Sequence, residues 1–317
     1  MGSNLNDELK LFSGSSHPEL AQRICDYLEI PLGRARIRRF ANDNLFVQIE
    51  ENVREKDVFV LQTAAPPVNE HLMELCIMLD ALKHASARRI TAVIPYYFYV
   101  RSDKKDMPRI SVTARLVADL LNTSGADRVL TMTLHSEQIQ GFFKTPADQL
   151  SAIPLICDYF NGWDLSNFVV VAPDAGSARR AGAYAQRLGL PMAVGDKRRG
   201  SDESVTVQSV VGDVRGKKAL IFDDEIATGG SMLRLARFLQ EHHQVEEVYA
   251  GAAHGVLVGD ALERLDQPLF QHIVVTDSLP LPDGAAKANI SQVSVAELFG
   301  RAIHAIHTGE SVSALFR

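Results

Sequence analysis

Apolar positions along the chain alternate between two rhythms. Short, nearly continuous apolar runs occur at LKLFSG (9–14), DVFVLQ (57–62), RITAVIP (89–95) and RVLTMTLH (128–135). Between them, HPELAQRICDYL (17–28), NEHLMELCIMLDALKHA (69–85) and ISVTARLVADLLNTSG (110–125) place apolar residues every three or four positions. Continuous runs predict strands buried on both faces, and the three-to-four spacing predicts helices with one apolar face. The alternation then recurs. FVVVAPD (168–174), PMAVGDK (191–197), SVTVQSVVG (204–212), KKALIFDDE (217–225), VEEVYAGAAHG (245–255) and HIVVTDS (272–278) read as strands. GSARRAGAYAQRLG (176–189), GGSMLRLARFLQEHHQ (229–244) and SVAELFGRAIHAIHTG (294–309) read as helices. A less patterned stretch, 149–167, separates the two series.

Strands alternating with helices predict an α/β chain. The expected architecture is two similar domains, 1–150 and 151–317, each a mostly parallel sheet flanked by helices, with the final helix able to pack back on the first domain. Open parallel sheets hold ligands beyond the carboxyl ends of their strands. That rule singles out the polar residues that end strands: His135, Asp174, Lys197, Asp223 and Asp224.

Charge and cysteine usage narrow the class. A net charge of −6 over 317 residues argues against a non-specific nucleic-acid binder, which would be basic. Cys25, Cys76 and Cys157 are odd in number and far apart, which points away from a disulfide framework and toward a reducing compartment. No apolar run reaches the ~18–20 residues of a membrane span. The N-terminal MGSNLNDELK lacks the apolar core of a signal peptide, so a cytoplasmic location without membrane contact is expected.

The densest chemistry is FDDEIATGGS, Phe222 to Ser231. The glycines of Ala227-Thr228-Gly229-Gly230-Ser231 let the backbone bend and approach a ligand, and the amides opening the next helix form an anion site. Taken alone, the loop is read more readily as a plain strand-to-helix turn with a hydroxyl cap. The carboxylates of Asp223 and Asp224 tip the reading, because adjacent acids at a strand end repel each other. They suit the vicinal hydroxyls of a sugar or a Mg²⁺ ion. Sugar hydroxyls beside a phosphate describe ribose 5-phosphate.

IFDDEIATGGS resembles the phosphoribosyl-diphosphate loop of the phosphoribosyltransferase-like fold. Further segments extend the likeness almost end to end: FSGSSHPELA (12–21), residues 74–106, LHSEQIQGFF (134–143), VAPDAGSARRA (171–181), DKRRG (196–200), AAHGVLVG (252–259) and HTGESVSALF (307–316). Together they are similar to the ribose-phosphate diphosphokinases. The resemblance implies transfer of the β,γ-diphosphoryl group of ATP to the 1-hydroxyl of ribose 5-phosphate, with Mg²⁺. A nucleotide-binding homologue that regulates an active partner is the second reading.

Site residues follow from the same resemblance. Lys197 and Arg199 are the expected catalytic pair, on a flap that closes over phosphates. Phe40, Asn42, Asp43, Asn44, Arg101, Ser102 and Asp106 are expected to bind nucleotide, and aromatics of PYYFYVRSDKKDMPR (95–109) could stack on its base. Arg199, Asp223, Asp224 and residues 227–231 are expected to bind ribose 5-phosphate, and His135 with Asp174 to bind the metal. Arg54, Ser86, Lys105, Ser311 and Ser313 match a regulatory site, and a hexameric homo-oligomer is implied. Four positions depart from the family pattern. Ala227 and Thr133 stand where Asp is usual, Ser102 where Gln is usual, and Ser177 where Gly is usual.

Overall fold

The computed structural model describes residues 8–199 and 205–316, leaving aside the side chains of residues 197–199, 205–208, 286, 314 and 316. The chain forms two compact units. The first takes residues up to Ser151, Ser278–Pro280 and Val295 onward; the second takes Ala152–Asp277 and Leu281–Ser294.

The first unit opens with β1 (Leu9–Ser13), α1 (Pro18–Leu28), β2 (Leu32–Gly33), β3 (Ala35–Arg39), β4 (Leu45–Ile49) and β5 (Asp57–Leu61). It continues with α2 (Val68–His84), β6 (Arg89–Ile94), α3 (Thr113–Ser124), β7 (Arg128–Met132) and β8 (Ala147–Leu150). Six strands make one parallel sheet in the order β2-β1-β5-β6-β7-β8. Every residue of β5 is buried, as its unbroken apolar run requires. The amphipathic pair β3 and β4 forms a separate antiparallel hairpin. Its alternating RARIRR pattern half-buries one face only, so no apolar run announces β3.

The FSGSSHPELA segment has a structural job. Glu74, buried on α2, accepts from the Ser15 amide at 2.6 Å, the Ser15 hydroxyl at 2.8 Å and Gln62 Nε2 at 2.7 Å. Gln62 Oε1 accepts from the Ser16 amide at 3.0 Å, and the Ser16 hydroxyl accepts from the Thr63 amide at 2.8 Å. These bonds fasten α2 to the carboxyl ends of β1 and β5, and they satisfy polar groups that burial would otherwise penalise.

The second unit runs α4 (Ile153–Tyr159), β9 (Phe168–Ala172), α5 (Ala178–Leu188), β10 (Met192–Arg199), β11 (Val205–Val211) and β12 (Lys218–Ile226). Then come α6 (Gly230–His243), β13 (Glu247–Gly255), α7 (Ala261–Leu265), β14 (Phe270–Thr276) and β15 (Ile290–Val293). Its sheet has the order β11-β10-β9-β12-β13-β14-β15, parallel except for the β10–β11 hairpin. The stretch read as less patterned contains α4, whose short length hides its period.

The last helix, α8 (Ala296–Thr308), belongs to the first unit and packs on α1. A buried ion cluster holds its end. Asp57, with no exposed surface, takes two bonds from Arg89 and one from His307 Nδ1 at 2.8 Å. Arg89 also donates to the Ile306 carbonyl at 2.8 Å, closing the last turn of α8. Cys25 and Cys157 are buried thiols pushed up to about 12 by burial, which leaves them chemically inert. Among the described residues no helix is long and apolar enough to cross a membrane.

Candidate active site

β12 carries Asp223 and Asp224 to its carboxyl end and turns through residues 227–229 into α6. Gly229 caps that helix at φ 70°, ψ −10°, a left-handed conformation that favours glycine, and no side chain caps it. The first amides of a 14-residue helix therefore face the loop with the positive end of its dipole. Thr228 and Ser231 are exposed beside them. The Ala227 carbonyl is held by the Val258 amide at 2.9 Å, so the loop backbone is anchored even without a carboxylate at this position.

The two acids meet one cation. Arg180 Nη1 donates to Asp223 Oδ1 at 3.1 Å and to Asp224 Oδ1 at 2.7 Å, and the Asp224 amide donates to Asp223 Oδ1 at 2.9 Å. Burial first, and the neighbouring Asp224 second, push the Asp223 carboxyl up to about 8, while Arg180 pulls it back. Phe222, immediately before the pair, stacks on Tyr184 with centroids 4.0 Å apart and planes at 8°. Tyr184 lies one turn beyond Arg180 on α5, so this stack sets the register that brings Arg180 to the acids.

Asp174 lies just beyond β9 and caps the short turn before α5. Its Oδ1 accepts from the Ser177 amide at 3.0 Å, and the Ser177 hydroxyl accepts from the Asp174 amide at 3.2 Å. The serine that departs from the family pattern thus completes a reciprocal capping box. His135 is exposed beyond β7. Thr133, two residues earlier, sits at φ 42°, a left-handed conformation that a β-branched side chain rarely adopts. Lys197 and Arg199 lie on β10 opposite Val207 and Val205, with a register shift between Asp196 and Lys197. Their side chains lie outside what is described.

The nucleotide segment occupies the β3–β4 turn. Phe40 is exposed, edge-on to Phe46 at 5.6 Å, and Arg38 covers both rings. Asn42 Oδ1 accepts from the Asn44 amide at 3.3 Å, shaping the turn, while Arg39 pairs with Asp43 and Glu70. A cavity of about 470 Å³ opens beside this turn, lined by Arg39, Asp43, Asn44, Asn69, Glu70 and Met73 among others. The expectation that aromatics of 95–109 stack on a base is corrected in part. Tyr97 and Phe98 are buried core residues, and Tyr97 bonds the Ala114 carbonyl at 3.2 Å. Arg101, Lys105 and Asp106 are exposed, and the Ser102 carbonyl accepts from the Ala114 amide at 3.1 Å, fixing the loop to α3.

Of the regulatory candidates, Arg54 and Ser86 are brought together, with Nη1 donating to Oγ at 3.3 Å. The Ser313 amide donates to the Ser311 hydroxyl at 3.2 Å in the tail after α8.

Three arginines near the loop were missed in the sequence. Arg234 Nη2 donates to the Ser231 hydroxyl at 3.4 Å, Arg264 Nη1 donates to the Thr228 carbonyl at 3.3 Å, and Arg180 grips the acids. Only the helical offset of Arg234 from Gly230 was readable in advance; Arg180 and Arg264 arrive from other elements.

Known proteins of one family resemble the chain along its length. Residues 9–125 match the N-terminal domain of ribose phosphate pyrophosphokinase, and residues 203–317 match the phosphoribosyl synthetase-associated domain. The chain is 49% identical to the ribose-phosphate pyrophosphokinase of Deinococcus radiodurans over 313 residues, covering 97% of this chain and 98% of that protein. It is 45% identical to that of a Nostoc species, covering 100% of this chain and 96% of the relative. The crystal structure of phosphoribosylpyrophosphate synthetase from Mycobacterium smegmatis superposes with a TM-score of 0.90 at 41% identity, covering 95% of this chain and 99% of that one.

Proposed function

From the premise that the chain belongs to the ribose-phosphate pyrophosphokinase family, we infer how its residues divide the reaction between them. The chain is a ribose-phosphate diphosphokinase: it moves the diphosphoryl group of ATP to the 1-hydroxyl of ribose 5-phosphate, releasing AMP. The observation that carries the reading is the uncapped start of α6 directly after the Asp223–Asp224 pair. One end of that arrangement suits a phosphate monoester, and the other suits sugar hydroxyls.

In the proposed assignment, the amides of 228–231 and the hydroxyls of Thr228 and Ser231 bind the 5-phosphate. Asp223 and Asp224 accept hydrogen bonds from the ribose hydroxyls, which fixes the 1-hydroxyl for in-line attack on the β-phosphorus. Lys197 and Arg199 offset charge on the transferring group, and Phe40, Asn42, Asp43, Asn44, Arg101, Ser102 and Asp106 hold the nucleotide. With so little covalent work for the protein, positioning and charge neutralisation supply the rate.

Among the described residues no three His, Cys, Asp or Glu side chains gather as a metal cage. Mg²⁺ is commonly held by one or two carboxylates together with substrate phosphates, so the half-buried Asp174 carboxylate is a fitting donor. We assign Asp174 and His135 as the residues that would hold it. Bound there, the ion would withdraw charge from the phosphates. A cytoplasmic hexamer with Arg54, Ser86, Lys105, Ser311 and Ser313 as its effector site completes the proposal.

The test is AMP release from ATP and Mg²⁺. AMP formation that requires ribose 5-phosphate is expected. A folded, pure protein that forms no AMP in its presence would overturn the assignment and return the regulatory reading, which the retained acids and basic flap disfavour.

A further inference from the structure

We propose that Arg234 and Arg264 are binding residues for the 5-phosphate of ribose 5-phosphate: two guanidiniums from separate elements converge on the first turn of α6 and add fixed positive charge to its amides. The proposal rests on the ribose 5-phosphate reading above, which stands on family membership rather than on these arginines.

Gly230 locates both cations. A side-chain carbon placed on it would lie 3.3 Å from Arg234 Nη1, 3.6 Å from Arg264 Nη1 and 3.7 Å from the Thr228 hydroxyl. Two guanidiniums and a hydroxyl therefore border one small space at the helix start, and glycine leaves that space open. Arg234 stands four residues beyond Gly230 on α6. Helical side chains lean toward the N-terminus, so its head returns to the opening turn. There Nη2 donates to the Ser231 hydroxyl at 3.4 Å. Arg264 arrives from α7. Leu265, buried, packs against the loop, its Cγ 3.1 Å from where a side chain on Gly229 would begin. That contact sets the preceding residue, Arg264, beside Thr228, whose carbonyl accepts from Nη1 at 3.3 Å.

The charges lack a matching anion. Among the described residues no carboxylate pairs with Arg234. Arg264 meets Asp260 at 3.3 Å, an exposed contact that contributes little. Two guanidiniums beside the positive end of a 14-residue helix repel each other and the helix dipole. An anion placed among them reverses that balance. A phosphate monoester is close to dianionic at pH 7 and presents three acceptor oxygens. It has acceptors for the amides, for the Thr228 and Ser231 hydroxyls and for both arginines at once.

Titration calorimetry with ribose 5-phosphate alone, together with steady-state kinetics, tests the proposal. Arg234→Gln and Arg264→Gln should each weaken ribose 5-phosphate about fivefold or more, in Kd and in KM, while the KM for ATP stays within about twofold. Arg234→Lys keeps the charge and should recover most of the loss. Wild-type affinity should also fall more steeply with added salt than that of the double Gln variant, because two fewer cations then face the anion. A Kd within about twofold of wild type in the folded Gln variants overturns the proposal, as do equal rises in both KM values or Arg234→Lys as weak as Arg234→Gln. Arg264→Gln also loses a bond to the loop; should it fail to fold, Arg234→Gln and Arg234→Lys decide by the same measures. Wild-type protein lacking sugar-dependent AMP release would instead refute the underlying assignment.

Discussion

Replacing Arg89 with Met should destabilise the first unit more than any loss of surface charge could. Asp57 is fully buried at the start of β5, and Arg89 supplies two of its hydrogen bonds as well as its charge. His307 remains, at 2.8 Å, so the carboxylate is not left bare. Removing one partner of a buried ion pair costs about 3–5 kcal/mol, because the charge left behind stays out of water. The surviving histidine places the expectation at the lower end, about 3 kcal/mol. Loss of the bond to the Ile306 carbonyl adds to it. For a unit of this size, that is a fall in Tm of roughly 6–12 °C. Urea denaturation at fixed protein concentration measures it directly. The double variant Asp57→Asn with Arg89→Met should recover about 2 kcal/mol relative to Arg89→Met alone, since no buried charge then remains. Hydrogen exchange should quicken first in the last turn of α8. A single variant within about 1 kcal/mol of wild type, or a double variant no better than the single, would refute the account of Asp57 as a charge held by Arg89.

Three further outcomes follow from particular residues. Thr133→Asn should raise stability by about 1 kcal/mol, because asparagine tolerates the left-handed backbone at φ 42° that threonine resists; an unchanged or lower Tm would show the strain is absent. Asp223→Asn should flatten the pH dependence of thermal stability in metal-free buffer. The Asp223 carboxyl is raised to about 8 by burial, so the folded chain keeps a proton that the unfolded chain releases. Wild-type stability should therefore fall as pH climbs from about 4 to about 8, and an identical slope in the Asn variant would contradict this. Ala227→Asp should raise kcat/KM for ribose 5-phosphate about tenfold by adding an acceptor at the anchored loop, and steady-state kinetics showing no gain would mean the backbone contact already suffices.

The strands and long helices were legible because each buries a face along a regular period. β5, β6, β9 and the first half of β12 are largely apolar runs, and α2, α3, α6 and α8 carry apolar residues at helical spacing. The β3–β4 hairpin was not, since its half-exposed strands carry arginines on the outer face. Burial of Tyr97 and Phe98 was equally hidden: an aromatic run after a strand reads the same whether it covers a ligand or the core. The turn at 227–229 and the helix it opens were legible, because the glycines that shape them are local. Its charge balance was not. Asp223 and Asp224 announce a cation, but the identity of that cation depends on how α5 is registered against β12, and the register rests on a ring stack between residues far apart in sequence.

Two of the departures from the family pattern are accommodated by local contacts. Ser177 adds through its hydroxyl a capping bond beside Asp174, and the Val258 amide holds the Ala227 carbonyl. Both contacts hold the local backbone at these positions. Arg180, by contrast, contacts Asp223 and Asp224 directly through one nitrogen. A site built this way tolerates change in the residues that shape its loops and resists change in the residues that balance its charge. On that argument, a substitution at Arg180 should harm sugar binding more than one at Ala227 or Ser177, although Arg180 lies in neither loop.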